Sequence, residues 1–234
     1  MSRPVNGTVL FDLDGVLLDS GQTMLATLAG VATAALGRPI TPADLPPRAL
    51  TIPRAEVLTV LGVLDADAAC ERWWDAALAT AGAADSCGRR LFPGALEGLM
   101  ALKDAGMATG LVTLQTRARL PWLLPEAALA LLDVTVCRDD AEPKPAPDGI
   151  QLALDRLDTG AGEAVFLGDT VGDIRAARAA GVAPLGAAWG YATAAALAAA
   201  GAVAVLDSPV LIGPGLTTHI GRRMTAPRAM PHRR

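Results

Sequence analysis

Histidine is almost missing from this chain of 234 residues, and its two copies, His219 and His232, both lie near the C-terminal end. A Ser-His-Asp triad, a histidine phosphatase and a histidine-ligated metal site all need an imidazole in the folded core. In addition, no cysteine is followed by an arginine at the spacing typical of cysteine phosphatases. The acids and bases that remain for an active site are therefore carboxylates.

Cysteine and lysine are also scarce. Cys70, Cys87 and Cys137 form no Cys-x-x-Cys pair and are odd in number, so neither a disulfide framework nor a zinc site is expected. We predict that they are small buried hydrophobic residues. The only lysines are Lys103 and Lys144, which makes a specific role for either one easier to recognise.

Long apolar runs are absent too. The alanine-rich stretch 192–206 is too short to span a bilayer and is interrupted by glycine. No charged-then-apolar signal segment stands at the N-terminus. We therefore expect a cytoplasmic protein with no membrane partner. We also expect it to be a monomer or a homodimer.

Charge is distributed unevenly along the chain, whose formal net charge is −4. Residues 213–234 contain five arginines and no acid. Because this segment has no aromatic residue and no structured basic face beside it, a nucleic-acid partner is not expected. We predict a basic, flexible C-terminal tail over 213–234.

The remaining sequence alternates between strand and helix patterns. Hydrophobic residues make up 52% of the chain and charged residues 19%, which suffices for a large core. Helical patterns over 95–105 and 170–180 each stop at a glycine, Gly106 and Gly181. Such alternation predicts an α/β fold with a doubly wound, mostly parallel sheet. Its strands are predicted at 8–12, 108–113, 133–137, 164–168, 182–188 and 203–206.

A long interval after the first strand breaks this alternation. Residues 20–90 show helical patterns at 22–36, 54–61 and 66–81 with proline-rich joints, and no convincing strand. We predict a helical cap over 20–90, inserted into a catalytic core formed by 1–19 and 91–212. Trp73 and Trp74 cannot both face one way on a helix, so one is expected in the cap interior.

The first strand ends in two carboxylates. Asp12 and Asp14 are two positions apart, so in a strand they point the same way, just before a turn at Gly15. Such a pair repels unless a cation or a proton lies between the two groups. Taken alone, such a motif is far more often an acidic turn after a strand, so its interpretation depends on the rest of the chain. A calcium loop fits poorly, since Val16 stands where an oxygen ligand is needed.

Polar residues follow three further strands. Thr113 ends the second, Lys144 lies in a proline-stiffened loop after the third, and Asp169 and Asp173 follow the fourth. Each has an ordinary explanation by itself; Asp169, for instance, could cap a helix. Because ligands bind beyond the carboxyl ends of parallel strands, however, we expect all four to surround one site with Asp12.

Over residues 5–212 the chain resembles the haloacid dehalogenase superfamily, in the branch with a helical cap close to phosphoglycolate-phosphatase-like enzymes. The resemblance rests on four motifs in order: Asp12-Leu13-Asp14-Gly15-Val16-Leu17-Leu18-Asp19-Ser20, then Thr113, then Lys144 within Lys-Pro-Ala-Pro, then Gly168-Asp169-Thr170-Val171-Gly172-Asp173.

This resemblance implies a phosphatase mechanism and a role for each motif residue. Asp12 would be the nucleophile, and Asp14 the general acid and base. Mg²⁺ would be held by the Asp12 carboxylate, the Asp14 backbone carbonyl and Asp169. Asp173 would not bind the ion directly, but would contact one of its ligands or a water molecule bound to it. Thr113 and Lys144 would bind the phosphoryl oxygens. The expected substrate is a small phosphorylated metabolite, such as phosphoglycolate or a sugar phosphate.

Neighbouring branches of the family are separated by residue type. The second aspartate, Asp14, argues against dehalogenases, and the absence of lysine from 20–90 argues against phosphonatases. Phosphoglucomutase-like transfer stays open, although Gly168 stands where those relatives usually have Glu. A catalytically weak relative with a binding role also stays open, because Leu114 replaces the polar residue usual after Thr113. Gln115 and Thr116 are the candidates to compensate for it.

Overall fold

The structure is a computed structural model that describes residues 7–84 and 90–225. Its centre is a sheet of six strands in the order β3-β2-β1-β4-β5-β6, in which every neighbouring pair is parallel. This confirms the predicted doubly wound sheet. The strands are β1 Thr8–Phe11, β2 Ala108–Val112, β3 Val134–Val136, β4 Ala164–Gly168, β5 Ala183–Ala187 and β6 Ala204–Leu206.

Ten helices accompany the sheet within the described ranges: α1 Gly21–Leu36, α2 Arg54–Val60, α3 Ala66–Ala84, α4 Ala95–Asp104, α5 Leu120–Leu123, α6 Glu126–Leu129, α7 Asp148–Arg156, α8 Val171–Ala179, α9 Ala194–Ala200 and α10 Ile212–Thr225. As predicted, α4 and α8 are followed by Gly106 and Gly181, both with φ of +74°. A left-handed residue at this position lets the backbone leave the helix without a Cβ clash. No helix of the described chain is both long and apolar enough to cross a membrane.

Successive side chains of a strand point to opposite faces of the sheet, and helices cover both faces. Val9 and Phe11 of β1 belong to one buried cluster, together with residues of α4 and α10. Leu10 points to the opposite face and joins a second cluster with residues of α7 and α8. Helices cover both faces of the sheet, and its strands are accordingly made mostly of apolar residues, as is usual for parallel sheets.

The position of β1 in the strand order determines where a ligand can bind. The chain goes from β1 to β2 and β3 on one side, and then returns to place β4 on the other side. The loops after β1 and β4 therefore diverge and leave a crevice at the carboxyl edge, the usual ligand position in such sheets. Asp12 is the first residue after β1.

The segment from α1 to α3 has a hydrophobic cluster of its own. Val31 of α1, Val57 and Leu58 of α2 and Trp74 of α3 are all buried in it. Trp73 is only partly buried, as expected for adjacent helix positions. This cluster shares no buried residue with those on the sheet. The interval without strands is thus an all-helical unit packed around its own interior.

The two connections between this helical unit and the sheet run side by side. The backbone N–H of Asp19 donates to the carbonyl of Arg90 (2.9 Å), and that of Phe92 donates to the carbonyl of Leu17 (2.9 Å). Leu18 and Leu91 form an antiparallel bridge between these bonds. The segment that leads from the sheet into the helical unit and the segment that leads back are therefore hydrogen-bonded to each other, close to the two aspartates that follow β1.

Cys70 and Cys137 are buried free thiols. Burial raises the pKa of Cys70 to about 11, and it also raises the pKa of Cys137. Their prediction as small hydrophobic residues is confirmed, while Cys87 lies outside the described residues.

The C-terminal region differs from the flexible tail that we predicted from residue 213. Helix α10 extends to Thr225, and its residues Ile212 and Leu216 are fully buried against α4. Two glycines allow this close approach, since a Cβ on Gly98 would lie 2.7 Å from the Cβ of Ile212 and one on Gly213 would lie 2.9 Å from that of Ala101. The Gly-Pro-Gly sequence at 213–215 is compatible with this helix, because proline is tolerated in the first turn. Residues 226–234 lie outside the described residues.

Packing of α10 against α4 predicts a stability effect. Leu216→Ala should lower the free energy of unfolding by about 2–5 kcal/mol, because it removes a fully buried side chain and leaves a cavity. Thr218→Ala, on the exposed side of the same helix, should change it by no more than about 0.5 kcal/mol. Urea denaturation of both variants checks this; equal effects would contradict the packing role of α10.

Candidate active site

Asp12 and Lys144 form a buried ion pair at the end of β1. The Asp12 backbone N–H donates to the carbonyl of Leu167 (3.0 Å), which continues the β1–β4 pairing by one residue. Lys144 Nζ donates to Asp12 Oδ1 (2.5 Å) and to the carbonyl of Val112 at the end of β2 (3.1 Å). The loop after β3 thus brings its lysine to the same crevice as Asp12, as the sequence predicted.

Asp173 is the second carboxylate that Lys144 contacts. Lys144 Nζ lies 2.6 Å from Asp173 Oδ1, and the other oxygen, Oδ2, accepts from the backbone N–H and the hydroxyl of Thr170 (3.0 and 2.6 Å). The Thr170 hydroxyl accepts in turn from the Asp173 N–H, which completes a capping box. Thr170 therefore caps α8, and the suggestion that Asp169 does so is wrong.

Asp169 is buried beside them with one oxygen left over. Its Oδ2 accepts from the backbone N–H of Tyr191 (2.7 Å), whereas its Oδ1 has no hydrogen-bond partner among the described residues. A buried polar atom without a partner is costly. In this site it is an oxygen available to a ligand.

Glycines on both sides of Asp169 leave room for its carboxylate. A Cβ on Gly15, whose φ is +84°, would lie 2.1 Å from Asp169 Oδ2. A Cβ on Gly190 would lie 2.3 Å from the Cβ of Asp169. Neither position tolerates a side chain, so the loops after β1 and β5 confine Asp169 from opposite directions.

The electrostatics of this cluster are unfavourable as the side chains stand. One oxygen from each of Asp12, Asp169 and Asp173 lies within 4.8 Å of the others. Burial is the main cause that raises the pKa of Asp12, to about 7, and that raises the pKa of Asp169 well above its usual range. Burial opposes the charge of Lys144, but Asp12 and Asp173 outweigh it and raise the lysine pKa. One ammonium group faces three carboxylates, so the cluster carries excess negative charge when all three are ionised.

Asp14 lies in different surroundings from Asp12. Its Oδ2 accepts a hydrogen bond from Gln115 Nε2 (2.8 Å), and its Oδ1 is buried without a partner among the described residues. Burial raises the pKa of Asp14, and the side chains of Gln115 and Ser20 offset part of this effect. The Asp14 side chain is not one of the three clustered carboxylates, so the two aspartates of the motif face different neighbours.

Thr113 lies at the carboxyl end of β2, as predicted, and its hydroxyl also accepts a hydrogen bond within the following loop. It is buried at the end of β2, and its Oγ1 accepts from the backbone N–H of Gln115 (3.1 Å). That N–H is therefore engaged within the loop. Leu114, the departure from the family pattern, is 44% exposed and offers no polar side chain.

Sequence reasoning missed three residues around this site. Tyr191 donates from its backbone to Asp169, and its hydroxyl lies 2.8 Å from Ser20 Oγ in the connection to the helical unit. As the only tyrosine, just beyond the fifth predicted strand, it could have been suspected. Arg119 contacts Gln115, and Asp75 of α3 contacts Arg119. Nothing in the sequence links these two, because they are 44 residues apart.

Comparison with known proteins identifies the family of the chain. The profile of the haloacid dehalogenase-like hydrolase family matches residues 9–187. A phosphoglycolate phosphatase of Xanthomonas campestris pv. campestris (strain 8004) is 37% identical over 186 residues, which cover 78% of this chain and 83% of that protein. One from Xylella fastidiosa (strain 9a5c) is 39% identical over 188 residues, with 79% and 81% covered.

A solved structure extends the likeness to three dimensions. The crystal structure of a provisionally assigned β-phosphoglucomutase from Thermotoga maritima superposes with a TM-score of 0.68 at 27% identity, covering 91% of this chain and 99% of that one. The residues matched by the family profile include Asp12, Asp14, Lys144 and the loop after β4. The chain therefore belongs to the haloacid dehalogenase-like hydrolases, in their phosphoglycolate-phosphatase-like branch.

Proposed function

We propose that this protein is a Mg²⁺-dependent phosphomonoester hydrolase that acts through an aspartyl phosphate on Asp12. The observation that carries this proposal is the buried group of Asp12, Asp169 and Asp173 around Lys144, at the crevice where the strand order reverses. A divalent cation would balance the negative charge of the carboxylates and bind their free oxygens, and a substrate phosphoryl group would bind beside it.

The residues present fit Mg²⁺. Hard carboxylate and carbonyl oxygens are its preferred ligands, and it keeps several waters. Asp169 has an unpaired buried oxygen, and the excess negative charge of the cluster calls for a cation. We assign direct bonds to Asp12, Asp169 and the Asp14 backbone carbonyl. Both oxygens of Asp173 are engaged by Lys144 and Thr170, which supports an indirect role for it. The bound ion would neutralise charge on the transferring phosphoryl group.

The proposed reaction divides its work between the two aspartates. The Asp12 carboxylate attacks phosphorus, and the bond from phosphorus to the ester oxygen breaks while Asp14 gives that oxygen a proton. Asp14 then takes a proton from a water molecule that attacks the phosphorus of the aspartyl phosphate. This second step releases inorganic phosphate and restores both carboxyl groups.

Phosphoryl oxygens would be bound by Thr113 and Lys144. Lys144 is held between Asp12 and Asp173, so its ammonium group stands next to the proposed nucleophile before substrate arrives. Such a preorganised charge stabilises negative charge that develops during phosphoryl transfer. The Thr113 hydroxyl is anchored by the N–H of Gln115 and still has a proton to donate.

The substrate is proposed to be a small phosphorylated metabolite of the phosphoglycolate or sugar-phosphate type. This follows from the phosphoglycolate phosphatases to which the chain is similar. We propose that residues 20–90 form a cap over the crevice and choose among leaving groups, while 1–19 and 91–212 form the catalytic core. A cytoplasmic location and a monomeric or homodimeric state remain predictions.

Transfer of the phosphoryl group within a sugar phosphate is the second candidate function. It is favoured by the likeness to the Thermotoga maritima structure. Product analysis separates the two reactions, because hydrolysis releases inorganic phosphate in proportion to substrate consumed, whereas a mutase yields an isomer. A catalytically weak protein would give neither product at a useful rate in saturating Mg²⁺.

Covalent catalysis by Asp12 predicts a specific loss. Asp12→Asn should lower kcat by at least about 10³-fold, since the amide is a poor nucleophile, and should leave the circular dichroism spectrum unchanged. Beryllium fluoride with Mg²⁺ should bind the wild type and not the variant. Asp104→Asn, an exposed change on α4, serves as the control. Near-normal turnover by Asp12→Asn would refute covalent catalysis.

Direct and indirect metal roles predict unequal Mg²⁺ affinities. Asp169→Asn should raise the Mg²⁺ dissociation constant by more than about 100-fold, whereas Asp173→Asn should raise it about tenfold. Asp173→Asn should also lower the thermal midpoint, because it weakens the cap of α8. Isothermal titration calorimetry with Mg²⁺ measures binding independently of turnover. Equal losses of affinity in the two variants would reject this division.

A further inference from the structure

We infer that Gln115 is a positioning residue for Asp14, and that Arg119 and Asp75 tie its hold on Asp14 to the location of α3. The inference deepens the proposed function and rests on it. It is carried by a continuous line of contacts from the helical unit to the carboxyl group of Asp14, made by the side chains of Asp75, Arg119 and Gln115.

Gln115 is held rigidly where it meets Asp14. Only 4% of it is exposed, and its side-chain Nε2 donates to Asp14 Oδ2 at 2.8 Å. Its backbone is fixed on both sides, since its N–H donates to Thr113 Oγ1 and its carbonyl accepts from the N–H of Arg138. A donor on an anchored backbone can fix the rotation of a carboxyl group.

Arg119 determines which end of the Gln115 amide faces Asp14. Arg119 Nη1 donates to Gln115 Oε1 (3.3 Å), and a guanidinium group has donors only. The reversed amide would place its NH₂ group against those donors and its oxygen against the Asp14 carboxylate. Both contacts would then be unfavourable, so Arg119 selects the orientation in which Gln115 donates to Asp14.

The hydrogen bond from Gln115 to one oxygen of Asp14 leaves the other oxygen for a different role. Oδ2 is occupied by Gln115, whereas Oδ1 is buried and has no partner within the described residues. Oδ1 is therefore the oxygen that would carry the proton to the leaving group.

The connection to the helical unit is made by Asp75 on α3. Arg119 Nε donates to Asp75 Oδ1 (2.7 Å); the Asp75 side chain is 80% exposed, while that of Arg119 is 15% exposed. Ion pairs with one exposed partner are weak and form reversibly. A displacement of α3 from the core breaks this pair and frees Arg119 from one of its two partners. The amide orientation of Gln115, and with it Asp14, is then less well defined.

The test compares two substrates of similar size whose leaving groups differ in their need for a proton. Benzyl phosphate releases an alkoxide unless Asp14 protonates it, whereas 4-nitrophenyl phosphate releases a stable phenolate without help. The quantity to compare is kcat/KM in saturating Mg²⁺. It reports on the first phosphoryl transfer, before hydrolysis of the aspartyl phosphate that both substrates share.

Gln115→Met removes the amide at nearly constant volume. It should lower kcat/KM for benzyl phosphate by about 10- to 100-fold and for 4-nitrophenyl phosphate by no more than about threefold. Arg119→Met should act in the same direction. Asp75→Asn, an exposed change that does not threaten folding, should lower only the benzyl phosphate value, by about threefold. Glu71→Gln, one turn earlier on α3 and exposed, is the matched control and should change neither value.

A combined variant tests whether Asp75 acts through Gln115. Gln115→Met with Asp75→Asn should be no slower on benzyl phosphate than Gln115→Met alone, because the line of contacts is already broken. Additive losses would overturn the connection to α3. Parallel losses on both substrates, or none, would overturn the positioning role of Gln115 while phosphatase activity itself stands. If Gln115→Met does not fold, Asp75→Asn and Arg119→Met decide by the same criterion.

Failure of the proposed function looks different. In that case the wild type would hydrolyse neither ester in Mg²⁺, and Asp12→Asn would leave the remaining rate unchanged. That result removes the proposed function together with the inference built on it. An active wild type with a leaving-group effect confined to the three variants supports both.

Discussion

Three carboxylates buried beside one ammonium group form the interaction on which the rest of this structure depends. Isolated buried charges are costly in free energy, and carboxylates within a few ångströms of each other raise one another's pKa. The chain accepts this cost at Asp12, Asp169 and Asp173. Lys144, the Thr170 cap and the Tyr191 backbone N–H each compensate part of it. The part left uncompensated is what a divalent cation and a phosphoryl group would complete.

The parallel sheet makes this cluster possible, because it brings together residues far apart in the sequence without long loops. Lys144 reaches Asp12 from 132 positions away because the loop after β3 opens at the same edge as the end of β1. The strands themselves carry no charged residue, so the charged residues of the site are confined to the segments beyond their carboxyl ends. Folding the core and assembling the site are consequently one process.

Residues tied to strand ends could be predicted from the sequence, whereas contacts between separate units could not. Asp12, Thr113, Lys144 and Asp169 each follow an apolar run, and the topology of parallel sheets places such positions together. The contact of Asp75 with Arg119 depends on how α3 sits against the core, which no local pattern encodes. Likewise, the basic composition of 213–234 predicted a flexible tail and gave no sign that α10 fits closely against α4 at Gly98 and Gly213.

The two aspartates of the first motif show how one short segment can supply two chemical roles. They are separated by a single residue, yet Asp12 faces a lysine and two carboxylates, whereas Asp14 faces a neutral amide. A nucleophile must stay ionised, which Lys144 and a cation favour. A general acid must hold a proton, and burial favours this at Asp14, although Gln115 and the more distant charges of Lys144 and Arg119 oppose it. Under the proposed mechanism, these different surroundings separate the aspartate that attacks from the one that transfers protons, and Gln115 contributes by holding Asp14 through an uncharged group.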